Sequence, residues 1–240
     1  VKTADEILDH LRKGGFPLEY QTANALRQVG FRALQGTYYT DPLTEKNREA
    51  DVVAPLPVVD AAQRIEVVVV AECKAGPQAK PWVAMTTRVR PEPTIPIAGR
   101  ELESYFAEIR PDILPGRLPI RRPHGFAVIE TFVDKGRNRA YDSMNQAVSA
   151  AMGVLAQWRT GRKVLVHPVV VTAEQLFRFE EEGEKVVPSG YERVVWHGAQ
   201  AHPYPTLIDI VQSDSLAGYV AELRGEVQDL VTDMVGAQNI

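Results

Sequence analysis

The apolar positions change rhythm along this chain, and each change marks an element. Thr3-Ala4-Asp5-Glu6 has the spacing of a capping box, with Ile7, Leu8 and Leu11 as the apolar side of the helix it opens. Gly14-Gly15 ends that helix. Pro17 suits the first turn of a second one, whose semi-apolar face is Leu18, Thr22, Ala25, Leu26 and Val29 before Gly30 stops it. The rhythm then becomes that of strands: 31–39 broken by Gly36, 49–59 roughened by Pro55 and Pro57, and 64–73. The third contains Val67-Val68-Val69-Val70-Ala71, a run with no polar alternation. Such a run predicts a strand buried on both faces, in the middle of a sheet.

From 76 to 123 the pattern is lost, and prolines recur at 77, 81, 91, 93, 96, 111, 115, 119 and 123. Only 99–109 keeps helical spacing there, with Leu102, Tyr105, Phe106 and Ile109 on one side. This stretch reads as an elaboration stiffened by its prolines. Periodicity resumes with a strand at 126–133, a long helix at 141–158 and a buried strand at 163–171. A short helical turn is expected at 172–177, then short strands at 194–196 and 207–211, then a helix over about 214–234. The order helix, three strands, helix, strand predicts an α/β fold, a mixed sheet between helices. The chain is expected to form one domain over 1–240, with its core in about 14–75 and 125–175, the proline-rich elaboration in 76–123 and a C-terminal helical extension in 205–240. In the last helix Leu216, Val220, Leu223, Val227, Leu230 and Met234 form a heptad seam. The seam serves either the chain's own core or a homodimer or partner protein; its length, under three heptads, favours the first.

Composition narrows the function. The formal net charge of −4 argues against a molecule that coats nucleic acid with its whole surface, but not against a local basic groove. Arg110, Arg117, Arg121, Arg122, Lys135, Arg137 and Arg139 form such a strip in sequence, opposed only by Asp112, Glu130 and Asp134. It reads equally as solvated surface. The single cysteine, Cys73, excludes an intrachain disulfide and suggests a reducing compartment, most simply the cytoplasm. No apolar stretch is long enough to span a bilayer, so no membrane contact is expected. The five histidines lack zinc-ligand spacing, and no phosphate-binding glycine loop appears.

The candidate chemistry sits at the end of the valine run. Glu72 and Lys74, two apart on a strand, face the same side, while Cys73 faces the opposite one as a small core residue. Asp51 stands on the preceding strand. Cutting a phosphodiester requires neutralising the phosphate, activating a water and stabilising the leaving oxygen. Mg²⁺ or Mn²⁺ held by one or two carboxylates does much of this. Asp51 and Glu72 would supply the carboxylates and the Cys73 backbone carbonyl a third ligand, while Lys74 would serve the water or the developing charge. The plainer reading is an ion pair at a strand end with Asp51 as a solvated acid.

Asp51, about twenty residues and then Glu72-Cys73-Lys74 resembles the PD-(D/E)xK, or restriction-endonuclease-like, nuclease superfamily. The resemblance spans roughly 14–75; beyond it, 141–171 fits by order alone. Ala50 stands where that family often has proline, which leaves the ligand intact. The resemblance implies a restriction-endonuclease-like core acting on DNA, in restriction or defence or equally in repair or a mobile element, with Glu19 of the second helix joining the metal network. It also points to Gln146 or Tyr141 on the long helix as substrate contacts, although a solvated helix position explains them as well. Lys80, Trp82, Arg121 and Arg122 are further candidates for nucleic-acid contact, with core packing the other reading of Trp82. A different class of function stays open: the same fold as a non-cleaving nucleic-acid-binding or sensing module, or an interaction protein built around the terminal helix.

Overall fold

The computed structural model describes residues 2–13, 15–57, 65–75, 80–87, 124–132, 138–157, 163–180, 184–196 and 206–236. The capping box forms: Thr3 N donates to Glu6 Oε2 at 2.8 Å, and Glu6 N to Thr3 Oγ1 at 3.2 Å, opening α1 (Ala4–Lys13). Gly15, in the left-handed region at φ 86°, caps α2 (Phe16–Gln28). The strands β1 (Leu34–Thr40), β2 (Asn47–Pro57) and β3 (Ile65–Lys74) follow as an antiparallel meander. Next come β4 (Trp82–Thr87), β5 (His124–Glu130) and α3 (Arg139–Gln157). The chain continues through β6 (Lys163–Thr172), β7 (Leu176–Glu180), β8 (Lys185–Pro188), β9 (Tyr191–Trp196) and β10 (Thr206–Gln212). A 3₁₀ turn, Ser213–Ser215, leads into α4 (Leu216–Gly236).

All ten described strands form one mixed sheet in the order β1-β2-β3-β6-β10-β9-β5-β4-β7-β8. α3 carries the chain from the β5 end back over the sheet, so that β6 lies parallel to β3 from Ile65↔Lys163 to Lys74↔Thr172. β10 lies parallel to β6 in turn. The valine run therefore lies inside the sheet, and it divides between two apolar layers. Val67, Val69, Ala71 and Cys73 pack beneath α2 and α4, while Val68 and Val70 pack beneath α3. Burial on both faces explains why no polar residue interrupts the run.

Three expectations need correction. The proline-rich stretch contains a strand, β4, in which Trp82 is fully buried, so Trp82 is a core residue and not a base contact. The expected helix at 99–109 lies outside the described residues, as do Arg121 and Arg122. The expected helical turn at 172–177 is instead a bend that runs into β7. Thr172 Oγ1 accepts the Glu174 amide at 3.0 Å and imitates a helix cap, but Leu176–Glu180 pairs with β4. β8 also went unanticipated. Finally, the segment from 205 is no appendage, because β10 lies in the middle of the sheet between β6 and β9. Of the heptad seam, Leu216, Val220, Leu223 and Val227 are buried in the chain's own core, and the Leu230 and Met234 side chains lie outside the described residues.

Candidate active site

At its end, β3 leaves the apolar interior with Glu72 and Lys74. By strand alternation both continue the face of Val68 and Val70, toward α3. Lys74 Nζ donates to Glu72 Oε1, and the Glu72 side chain is 10% exposed against 26% for Lys74. The plainer expectation of an ion pair is thus met, but at a mostly buried position.

Asp51 joins them through an irregularity that the sequence marks only by Gly36. Between β1 and β2, Leu34↔Val53 and Gln35↔Val52 are paired, and pairing resumes at Thr37↔Ala50. Gly36 and Asp51 fall in the gap, and Gly36 has φ +63°. In a regular strand, residues two apart share a face. Here Val52 packs beneath α2, whereas Ala50 packs beneath α3 with Tyr39. The strand turns over at Asp51, opposite the positive-φ Gly36, through one unpaired step on each strand that leaves the register unchanged. Its carboxylate then reaches sideways, and Asp51 Oδ2 accepts the Cys73 amide at 2.6 Å. The β2–β3 ladder runs from Pro57↔Glu66 to Val52↔Ala71, so the Asp51 side chain takes over where backbone pairing stops. The N–H and C=O of one strand residue point to the same side. The Cys73 carbonyl is therefore directed toward Asp51, while the Lys74 carbonyl accepts Ala173 N on the β6 side.

Glu19 approaches from α2. Cys73 Sγ donates to Thr22 Oγ1 at 3.5 Å, which docks the helix on the end of β3. Glu19 lies one turn before Thr22 and half-exposed. The electrostatics record the crowding. Burial first, then the Asp51 charge, push the Glu72 carboxyl up to about 7 against the pull of Lys74. Burial, Asp51 and Glu49 push Glu19 up to about 6. Asp51 is raised by burial, against the Cys73 amide and Lys74. Burial, followed by the charge of Asp51, also raises the Cys73 thiol, which keeps it a neutral core group.

Several hard oxygen donors thus crowd around a single ammonium group, a chemistry that suits a divalent cation such as Mg²⁺ or Mn²⁺. Among the described residues, no three His, Cys, Asp or Glu side chains form a preassembled metal group. The residues that could hold such an ion are Asp51, Glu72 and the Cys73 carbonyl.

Other candidates lie elsewhere. Lys80 precedes β4, which is separated from β3 by four strands in the sheet order. Arg139 is held by Glu130 at 3.8 Å and Glu174 at 3.4 Å. The exposed Tyr141 ring packs edge-on against Trp196, with centroids 4.8 Å apart. Gln146 is half-buried, and its Oε1 has no hydrogen-bond partner among the described residues.

Two features escaped the sequence reading. One is Tyr39, beside Ala50 in the layer under α3. The other is a buried polar network. Arg193 Nε and Nη2 each donate to Asp209 at 2.6 Å, while His167 Nε2 and the Tyr219 hydroxyl contact Asp209 Oδ2 at 2.8 and 2.9 Å. A cleft of about 540 Å³ opens beside this network, lined by Arg178, Tyr191, Arg193, Tyr219 and Glu226 among others. These partners are 10–42 residues apart in sequence, so no local motif announces them. Among the described residues no helix is long and apolar enough to cross a membrane. No family model, curated protein or solved structure matches this chain.

Proposed function

We propose that this chain is a divalent-metal-dependent nuclease that hydrolyses DNA phosphodiester bonds, on a core of the restriction-endonuclease-like type. One observation carries the reading: where β2 turns over, the Asp51 carboxylate accepts the Cys73 amide, beside Glu72 and Lys74. The order α2, β1, β2, β3, then, after β4 and β5, α3 and β6, with β6 parallel to β3, supports the likeness in fold.

In this reading Asp51, Glu72 and the Cys73 carbonyl hold Mg²⁺ or Mn²⁺, with Glu19 as outer support. The bound ion supplies Lewis-acid polarisation of the phosphate and a more acidic water. Lys74 orients the attacking water and offsets charge on the phosphorane. The Cys73 amide holds Asp51 in place. In hydrolysis the water oxygen bonds to phosphorus, the bond to the leaving sugar oxygen breaks, and that oxygen takes up a proton.

The test uses plasmid and end-labelled oligonucleotides with Mg²⁺ or Mn²⁺ and with EDTA. Cleavage in either metal, none in EDTA, and loss of cleavage in Glu72→Gln and Lys74→Ala with unchanged circular dichroism are expected. Full activity in either variant, or binding of DNA without nicking under any metal, overturns the assignment. The second result would favour the binding module.

A further inference from the structure

We infer that Tyr39 is a further substrate-contacting residue of this centre, its hydroxyl donating a hydrogen bond to a non-bridging oxygen of the bound phosphodiester. The inference rests on the phosphodiesterase reading above. The Tyr39 ring is 3% exposed and lies in one layer with Ala50 and Val70. Val70 is one same-face step before Glu72, so Tyr39 and Glu72 share the α3 face of the sheet, with Tyr39 opposite Arg48, three residues from Asp51. The turnover at Gly36 and Asp51 is what directs Tyr39 to the α3 side. Gly153 of α3 backs the ring: a Cβ there would overlap Tyr39 and come within 2.8 Å of the Thr40 carbonyl oxygen. Helix and strand are in contact at that point, so the ring has no room to swing aside.

The hydroxyl tops an almost fully buried side chain. Its surroundings keep it protonated. Burial first, then the charges of Asp41, Glu72 and Asp51, push its pKa up to about 12, with Arg48 opposing. A neutral donor suits this position. It tolerates the neighbouring carboxylates, and its hydrogen bond strengthens as charge builds on the phosphate oxygens. No proton is transferred from it.

Tyr39→Phe removes the oxygen and keeps the ring. In Mg²⁺ the variant is expected to cleave a labelled oligonucleotide with kcat lowered about tenfold or more and KM within about threefold. Its Tm is expected to be unchanged. Affinity for the same oligonucleotide in EDTA, read by fluorescence anisotropy, is expected to stay within about threefold, as for one neutral hydrogen bond. If the wild type cleaves and Tyr39→Phe has the same kcat, Tyr39 has no part in the site while the nuclease reading stands. If the rate loss tracks a lowered Tm and is recovered on cooling, the residue only packs and the inference is overturned. If the wild type cleaves nothing in either metal, the nuclease reading falls and takes this inference with it.

Discussion

The molecule buries carboxylates in two places and treats them in opposite ways. Around Asp209 each negative charge meets donors: Arg193 supplies two hydrogen bonds, and His167 and Tyr219 one each. Burial alone would raise Asp209, but Arg193 and then His167 hold it well below the usual carboxylate range. Glu226 adds a 3.2 Å contact to the same guanidinium. At the end of β3 the balance is reversed. Glu19, Asp51 and Glu72 are all pushed up, with Lys74 the cation that opposes them. The first centre is a closed account that holds β6, β9, β10 and α4 together. The second is left with surplus negative charge, which favours a cation from outside. A buried charge on its own therefore does not mark a functional site; an incompletely compensated one is the better indicator.

Substitution should separate the two centres. Glu72→Gln is expected to lower metal-dependent cleavage on the order of 10³-fold while leaving metal-free stability equal or slightly improved, since it removes a repelled charge. Enzyme kinetics and urea unfolding without metal read the two halves. Asp209→Asn should do the opposite. It leaves Arg193 buried without its main partner and is expected to cost about 3–5 kcal/mol, again by urea unfolding.

Acidity sharpens the contrast. Asp209 has a folded pKa below its unfolded one, so its contribution is fully present above about pH 4 and is lost as pH falls further. Glu72 runs the other way. Its folded value of about 7 exceeds its ordinary value of 4.5, so its contribution is full below 4.5 and is lost as pH rises through 7. Metal-free unfolding midpoints should decline at both ends, and saturating Mg²⁺ should flatten the decline on the neutral side only. A midpoint indifferent to Mg²⁺ at pH 7 would remove the distinction between the two centres.

Two smaller effects test the scaffold around them. Gly153→Ala forces a methyl against Tyr39 and should cost about 1–3 kcal/mol in thermal or urea unfolding. Thr3→Ala removes one half of the capping box and should cost about 1 kcal/mol, far from either centre.

What could be read from the sequence follows from how local each cause is. The capping box, the valine run and the acid-x-Lys triplet are written in neighbouring residues, and their outcomes were visible. So was the long helix, whose Met144, Val148 and Ala151 face the sheet. β4, β7 and β8 were not, because each depends on partners distant in sequence: Trp82 pairs with Glu130 on one side and Leu176 on the other. Averaging over a proline-rich stretch hid the six residues of β4. At the candidate site the residues were legible, but the means of bringing Asp51 to Cys73 was not. That depends on a reversal of strand facing at Gly36, a tertiary event with only one glycine as its local sign. Tyr39 was hidden for the same reason, since facing cannot be counted through an unforeseen turnover of the strand.

Among the described residues, the two outermost strands carry a consequence for life at high concentration. β8 is four residues long, begins with lysine and ends with proline, and β1 is bent by Gly36. Short length, charge, proline and a kink all make poor templates for docking a stranger's backbone. Self-association through the sheet borders is thereby discouraged, and crowding should drive these molecules into fibrils less readily than a long flat border would allow.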